Sequence, residues 1–237
     1  MYSYNAFVRY SETGGRFKLP VSGIANYFQD CAILHSERVG AGIEYLKEQK
    51  RAWFLVSWQI DIDRYPLLHE DIEVSTWAYM FRGSMGYRNF LIRDLQGETL
   101  VKAATIWSYV DTSSMRPTKV DDHMAEAYAP YEPKLDMEYT PRKIAIHDDM
   151  TLIAKRQVMP YQIDSNNHMN NEAYLAMAME YIGSWEDIGR VRAEYKQQFS
   201  NGETVYIYYG EWENVRQFAF YSDEGHTLRA TAEFYYR

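Results

Sequence analysis

The chain has 237 residues, 46% hydrophobic and 16% aromatic, enough apolar mass for one large domain or two small fused ones. Its net charge of −8 argues against a nucleic-acid binder, whose affinity would come from phosphate neutralisation, though a charge sum leaves room for a local basic patch. The single cysteine, Cys31, excludes an intramolecular disulfide, and no apolar run reaches the roughly 18 residues that span a bilayer.

In chain order, YSYNAFVRY (2–10) reads as a strand. LPVSGIANYFQDCAILHSERVG follows, with Ile24, Tyr27, Phe28, Cys31 and Leu34 at spacings of three and four, which predicts an amphipathic helix ending near Gly40. WFLVSWQIDID, DIEVSTWAYM, YRNFLIRD and TLVKAATIWSYVD read as strands, the last two joined by the LQGE turn at Gly97. A Pro- and charge-rich stretch, residues 113–148, reads as a linker with one short helix around Met124–Tyr128. The order then recurs: TLIAKRQVMP as a strand, NNEAYLAMAMEYIG as a helix, and VRAEYKQQF, ETVYIYYGEWE, VRQFAFYS and TLRATAEFYYR as strands, with a turn at Gly225.

Two anchors support a duplication. DIDRYPLLHEDIEV lies on EYKQQFSNGETVYI without a gap at an offset of 133 (194 − 61), and the helices align with Tyr27 on Tyr174 at an offset of 147 (174 − 27). The expected fold class is α+β, with residues 1–112 and 149–237 as two helix-and-sheet units. The N-terminal MYSYNAFVRYSETGG lacks the basic-then-apolar order of a signal peptide, so a cytoplasmic protein is expected. The histidines His35, His69, His123, His147 and His226 are scattered without partners at ligand spacing, so no metal site is expected.

The densest polar cluster is IDSNNHMNNEAY, residues 163–174, directly before the second helix. Asn or Asp before a helix satisfies free amides, and one such residue is enough for that task. Asp164, Asn166 and His168 alternate, which in an extended loop puts all three side chains on one side. A helix N-terminus beside them could stabilise an oxyanion while the acid and imidazole manage a water and its protons, an arrangement suited to hydrolysing an activated acyl group. The stretch before the first helix, FKLPVSGIAN, has no such residues.

DSNNHMNNEAY resembles the Asp-x-Asn-x-His-x-Asn-Asn-x-x-Tyr signature of plant and bacterial acyl-ACP thioesterases. NYFQDCAILHSERVG, IDIDRYPLLHEDIEVSTW and YRNFLIRDLQGETLVKAATIWSYVD are similar to that family's N-terminal module, so the resemblance spans nearly the whole chain. It implies a tandem (double) hotdog, with an acyl-chain-binding N-terminal module and a catalytic C-terminal one. The implied activity is hydrolysis of fatty acyl-ACP to free fatty acid and ACP, without metal or organic cofactor. Asp164, Asn166 and His168 inherit the catalytic roles, and Asn170, Asn171 and Tyr174 of the same signature are expected to contact substrate. In the first module Ile24, Phe28 and Trp107 are candidates to line the acyl site.

One position departs from the family. Its catalytic Glu falls on Gln198 in EYKQQF, and Gln cannot act as a base. Asp164 could then act as nucleophile or as base with His168 carrying the proton, or His168 could be the base oriented by Asp164. Cys31 sits on a helix's apolar stripe and is expected to pack, not react. An acidic carrier protein needs a cationic surface, for which Arg82 with Arg88, Lys155–Arg156 and Arg190–Arg192 are candidates. An acyl-CoA thioesterase and a non-catalytic acyl-binding module remain as alternatives, and monomer and homodimer both fit.

Overall fold

The computed structural model describes residues 1–223 and 227–237, so the turn expected at Gly225 lies outside the described residues. The elements are β1 (Tyr2–Phe7), α1 (Val21–Arg38), α2 (Ile43–Glu48), β2 (Arg51–Ile62), β3 (Asp71–Arg82), β4 (Met85–Asp94), β5 (Thr99–Asp111), β6 (Arg116–Pro117), α3 (Asp122–Ala127), β7 (Thr151–Gln157), α4 (Asn171–Met179), β8 (Ile188–Tyr195), β9 (Thr204–Trp212), β10 (Val215–Tyr221) and β11 (Leu228–Tyr236). Single 3-10 turns, Tyr10–Glu12 and Pro160–Gln162, follow β1 and β7. This is an α+β chain dominated by antiparallel strands, as the sequence pattern requires. It divides into two compact units, residues 1–56 with 60–139 and residues 57–59 with 140–237.

In the first unit the strand order is β1-β3-β4-β5-β2, with α1 against β3 and β1. Helix α1 buries Ile24, Tyr27, Phe28, Cys31 and His35, the three-and-four spacing that turns one stripe onto a sheet. It stops where Gly40 adopts a left-handed φ of 74°. Gly40 N–H then donates to Glu37 O (3.1 Å) and Ala41 N–H to Ser36 O (2.9 Å), the paired bonds that absorb the last free carbonyls. Within residues 113–139, α3 begins two residues before the expected Met124 because Asp121 caps it, accepting from Met124 N–H at 2.8 Å. Met124 and Tyr128 are buried against Ala41, Ala78 and Tyr109.

The second unit has the order β7-β9-β10-β11-β8 with α4 beside β11. Its core includes Tyr174, Phe199, Phe218, Phe220 and Phe234. Strand order repeats term by term between the units. So do individual hydrogen bonds: Val8 N–H to Glu70 O and His69 N–H to Val8 O in one, Val158 N–H to Glu203 O and Gly202 N–H to Val158 O in the other. These place 70 on 203 and 69 on 202, an offset of 133, in agreement with the strand alignment from sequence. They place Val8 on Val158, an offset of 150, and the same offset continues into the helices. The helix alignment of Tyr27 on Tyr174 is therefore three residues out of register; Ile24 corresponds to Tyr174. Matching two tyrosines by type misled, because the two helices use different residues on the same buried face.

The repeat extends to backbone strain. Phe17 (φ 56°) and Asn167 (φ 62°) are left-handed at corresponding loop positions. Asn tolerates that region and a bulky aromatic does not. Phe17 is exposed and offers little packing in return. Phe17→Asn should therefore stabilise the protein by about 0.5–1 kcal/mol. Chemical denaturation tests this, and an unchanged or lower midpoint would refute the strain argument.

Candidate active site

The polar cluster folds as a closed turn between the 3-10 turn Pro160–Gln162 and α4. Asp164 N–H donates to His168 O (2.8 Å) and Asn167 N–H to Asp164 O (3.0 Å). Ile163 bridges Met169, and Met169 N–H donates to Phe199 O at 2.8 Å, tying the turn to the segment after β8. The expected extended loop is thus corrected: left-handed Asn167 reverses the chain, and simple alternation does not set the side-chain directions. Asp164 is half-buried, and its Oδ1 accepts from Asn166 N–H (2.8 Å) and His168 N–H (3.2 Å). Both bonds use one oxygen, which fixes the carboxylate and leaves Oδ2 outside them. His168 is half-buried and Asn166 exposed.

The first unit contains the same turn without the acid. Gly14 N–H donates to Lys18 O (3.1 Å), Phe17 N–H to Gly14 O (3.0 Å) and Leu19 N–H to Pro66 O (2.9 Å). Burial class matches residue by residue between 11–20 and 161–170. Gly14, Arg16 and Lys18 stand where the second unit has Asp164, Asn166 and His168. The backbone therefore forms this turn without those three side chains, even though Asp164 satisfies two of its amides where present.

The next residues separate into different tasks. Asn170 is the helix cap: its Oδ1 accepts from Glu172 N–H at 3.1 Å and its carbonyl from Ala173 N–H at 3.0 Å. The Asn171 N–H is the first-turn amide that Asn170 leaves unengaged. Asn171 itself is 7% exposed, and its side-chain Oδ1 is enclosed without a hydrogen-bond partner among the described residues. Its counterpart is fully buried Val21, so the pocket accepts an apolar side chain and the amide is an added cost.

Tyr174 is a core residue. It is 1% exposed, packs edge-on against Tyr195 and Phe220, and accepts a hydrogen bond from Phe199 N–H at 3.2 Å. Its counterpart Ile24 can accept nothing, and the counterpart of Phe199 is Pro66, which has no N–H to satisfy. Donor and acceptor are absent together, which explains Tyr174 as backbone accounting. Burial pushes the phenols of Tyr174 and Tyr195 well up, so both stay neutral, and Tyr195 O–H donates to Asn171 O at 2.8 Å.

Gln198 lies beside the turn. Strand β8 ends at Tyr195, so pleat counting from Glu194 does not reach it. Gln198 is half-buried and its carbonyl accepts from Arg229 Nη1 (2.7 Å); Arg229 also pairs with Glu203 (3.0 Å) and lies 4.7 Å over the Phe199 ring. Arg229 anchors this side of the site, and nothing local in the sequence marks it. Glu194 is buried and accepts from Ile144 N–H at 3.0 Å.

In the first unit Ile24 and Phe28 are fully buried, with Phe28 packed on Phe90 at 5.0 Å, while Trp107 is half-buried and donates to Thr105 Oγ1 at 2.8 Å. Cys31 is buried, and its surroundings push the thiol up to about 12, which leaves it protonated and unreactive at neutral pH. Of the expected cationic residues, Arg82, Lys155 and Arg156 are exposed. Arg88 is buried, and Arg192 is committed to Glu233 (2.8 Å) and Pro141 O (2.6 Å), so neither offers a free surface charge. No helix is long and apolar enough to cross a membrane, and among the described residues no His, Cys, Asp or Glu cluster could hold a metal ion.

Residues 1–128 match the family model for the acyl-ACP thioesterase N-terminal domain. The chain is 24% identical over 192 residues to the chloroplastic palmitoyl-acyl carrier protein thioesterase of Arabidopsis thaliana, covering 76% of this chain and 47% of that one. It is 26% identical over 198 residues to the Arabidopsis chloroplastic oleoyl-acyl carrier protein thioesterase 1, covering 76% and 54%. It thus spans about half the length of these curated relatives. Among solved structures it resembles an acyl-ACP thioesterase from Bacteroides thetaiotaomicron, with a TM-score of 0.87 at 20% identity and coverage of 99% and 97%. A 12:0-ACP thioesterase from Umbellularia californica gives 0.86 at 18%, with coverage of 100% and 96%.

Removing the Tyr174 hydroxyl leaves the Phe199 amide buried without an acceptor, a loss of about 1–3 kcal/mol. Tyr174→Phe should lower stability by that amount in urea unfolding, whereas a variant as stable as the parent would show the bond to be dispensable.

Proposed function

The chain belongs to the acyl-ACP thioesterase family, and on that premise we propose that it hydrolyses fatty acyl-ACP to free fatty acid and ACP at the turn before α4. The observation that carries this reading is the pair of turns with one backbone and two chemistries. Where the first unit has Gly14, Arg16 and Lys18, the second has a carboxylate, an amide and an imidazole that its fold does not require. In this reading the units are tandem hotdogs, residues 1–112 and 149–237 joined by 113–148. The first receives the acyl chain, with Ile24, Phe28 and Trp107 near it, and the second performs the chemistry.

Asp164, held by two backbone amides through Oδ1, presents Oδ2 to a water and accepts its proton as the water oxygen attacks the thioester carbonyl carbon. The carbonyl oxygen becomes an oxyanion, stabilised by the Asn171 N–H and the Asn166 amide. The C–S bond then breaks as His168 carries the proton that Asp164 took from the water to the departing thiolate. This returns Asp164 to its carboxylate and His168 to its starting state. Asn171 Oδ1, which has no hydrogen-bond partner among the described residues, is the acceptor this reading assigns to an N–H of the carrier's pantetheine arm, once side chains around it admit the arm. No metal or cofactor enters these steps. Gln198 can orient groups by hydrogen bonding but cannot take a proton. That substitution favours a second reading, a slow enzyme or an acyl-binding module of the same fold.

Thiol release from acyl-ACP and acyl-CoA panels separates these readings. Turnover of acyl-ACP well above acyl-CoA is expected; equal rates would move the assignment to acyl-CoA, and no turnover on either would favour the binding module. Asp164→Asn retains an Oδ1 acceptor and should fold normally while losing about 10²-fold or more in kcat. Asn171→Val should gain about 1 kcal/mol of stability and raise KM, and an unaltered KM would remove Asn171 from the substrate site. Gln198→Glu should change the pH profile of kcat more than it changes KM; a superimposable profile would place Gln198 outside the reaction.

A further inference from the structure

On the reading that the turn before α4 performs the hydrolysis, we propose that Arg229 is its positioning residue, a clamp on the segment that supports the turn. Arg229 lies on β11 with its side chain 17% exposed. Its Nη1 donates to Gln198 O at 2.7 Å and to Glu203 Oε2 at 3.1 Å, and its Nη2 to Glu203 Oε1 at 3.0 Å. The guanidinium carbon sits 4.7 Å from the centre of the Phe199 ring. Backbone bonds close the clamp: Lys196 N–H and Gln197 N–H donate to Arg229 O at 2.7 and 3.2 Å. Phe199 is the residue whose carbonyl accepts from Met169 N–H and whose own N–H donates to Tyr174. One arginine therefore grips residues 196–199, and Phe199 in that segment holds both the turn and α4.

The repeat separates this task from ordinary ion pairing. Leu100 is the counterpart of Arg229: its carbonyl accepts from Asp63 N–H and Arg64 N–H at 2.9 and 3.1 Å, residues that match Lys196 and Gln197 at the offset of 133. Glu70 and Glu203 also correspond. Each caps the turn before it, accepting from Leu67 N–H at 2.7 Å and from Ser200 N–H at 2.5 Å. Each glutamate has an arginine, but from a different place. Glu70 takes exposed Arg64, at 2.6 and 2.9 Å, from its own segment. In the second unit that position holds Gln197, and the cation comes instead from β11, the strand paired with β8. Coulombic attraction depends on separation and not on which strand supplies the cation, so counter-charge alone favours neither placement. From β11 the guanidinium reaches the Gln198 carbonyl and the Phe199 ring as well, and its fixed fork of donors serves both partners at once. Leu100, being apolar, donates nothing to the corresponding Tyr65. The unit with the polar turn is thus the one whose arginine stands where it braces the turn's support.

Exchanging the two arrangements tests the clamp. The double variant Arg229→Leu with Gln197→Arg gives the second unit the first unit's layout, so Glu203 regains a cation while Gln198 O loses its donor. It should unfold in urea at the parent midpoint yet lose about ten- to a hundredfold in kcat on acyl-ACP, with KM unchanged. Its Met169 amide should exchange with deuterium faster than in the parent. Glu203→Gln is the reverse case, an isosteric change that removes the charge and keeps acceptors for Ser200 N–H and Arg229. It should lose stability and retain the parent kcat. Recovery of kcat together with stability in the double variant would reduce Arg229 to an ion-pair partner and overturn the proposal. So would a fall in kcat for Glu203→Gln as large as that of the double variant. A parent without turnover on acyl-ACP would count against the hydrolytic reading alone. Met169 exchange then decides: faster exchange in the double variant supports the clamp, and parent-like exchange overturns it.

Discussion

The hydrogen bond from the second residue before each helix to the segment entering the third strand of its unit is the constraint from which the other features follow. Met169 N–H to Phe199 O in one unit, and Leu19 N–H to Pro66 O in the other, pins the turn, the helix start and the sheet together. Buried backbone groups have to be paired, and this pairing fixes where the turn lies whatever side chains it carries. The turn is thereby a rigid mount. Side chains on it can change from Gly14 to Asp164 and from Lys18 to His168 without the backbone moving to a different pattern.

That rigidity explains why the second unit tolerates such a polar helix start. Asp164 and Asn170 spend acceptors on nearby amides, so part of the cluster's desolvation is offset locally. Asn171 is different: it buries an amide oxygen with no donor among the described residues, where the equivalent Val21 packs without loss. The proposed substrate contact supplies a reason for an expense the fold does not ask for. The same logic separates Tyr174 from its neighbours in the signature. Its hydroxyl satisfies the Phe199 amide, and the need disappears in the other unit together with the amide itself, because Pro66 stands there.

Charge is distributed between the repeats by similar substitutions. Arg216 meets Glu211 and Arg229 meets Glu203 in the second unit, so both of these cations have an acid at hand. Arg88 is surrounded by His35, Thr76 and Tyr128, all neutral. Two units with one strand order have thus diverged in opposite directions, one acquiring polar groups at its turn and the other leaving a cation unbalanced within its sheet.

Much of this was legible in the sequence. Strand and helix order, the 133-residue offset and the polar run from Asp164 to Asn171 followed from periodicity and residue type, since burying one face of a strand or helix leaves a repeating mark along the chain. The helix offset of 150, the closed form of the turn, the burial of Arg88 and the tasks of Tyr174 and Arg229 did not follow. Each depends on a partner far away in the chain, such as Phe199, His35 or Glu203, and a linear pattern carries no record of which groups meet. The residue types by themselves determined the elements and where the chemistry could reside; three-dimensional pairing decided which of those polar groups the fold consumes and which it leaves available.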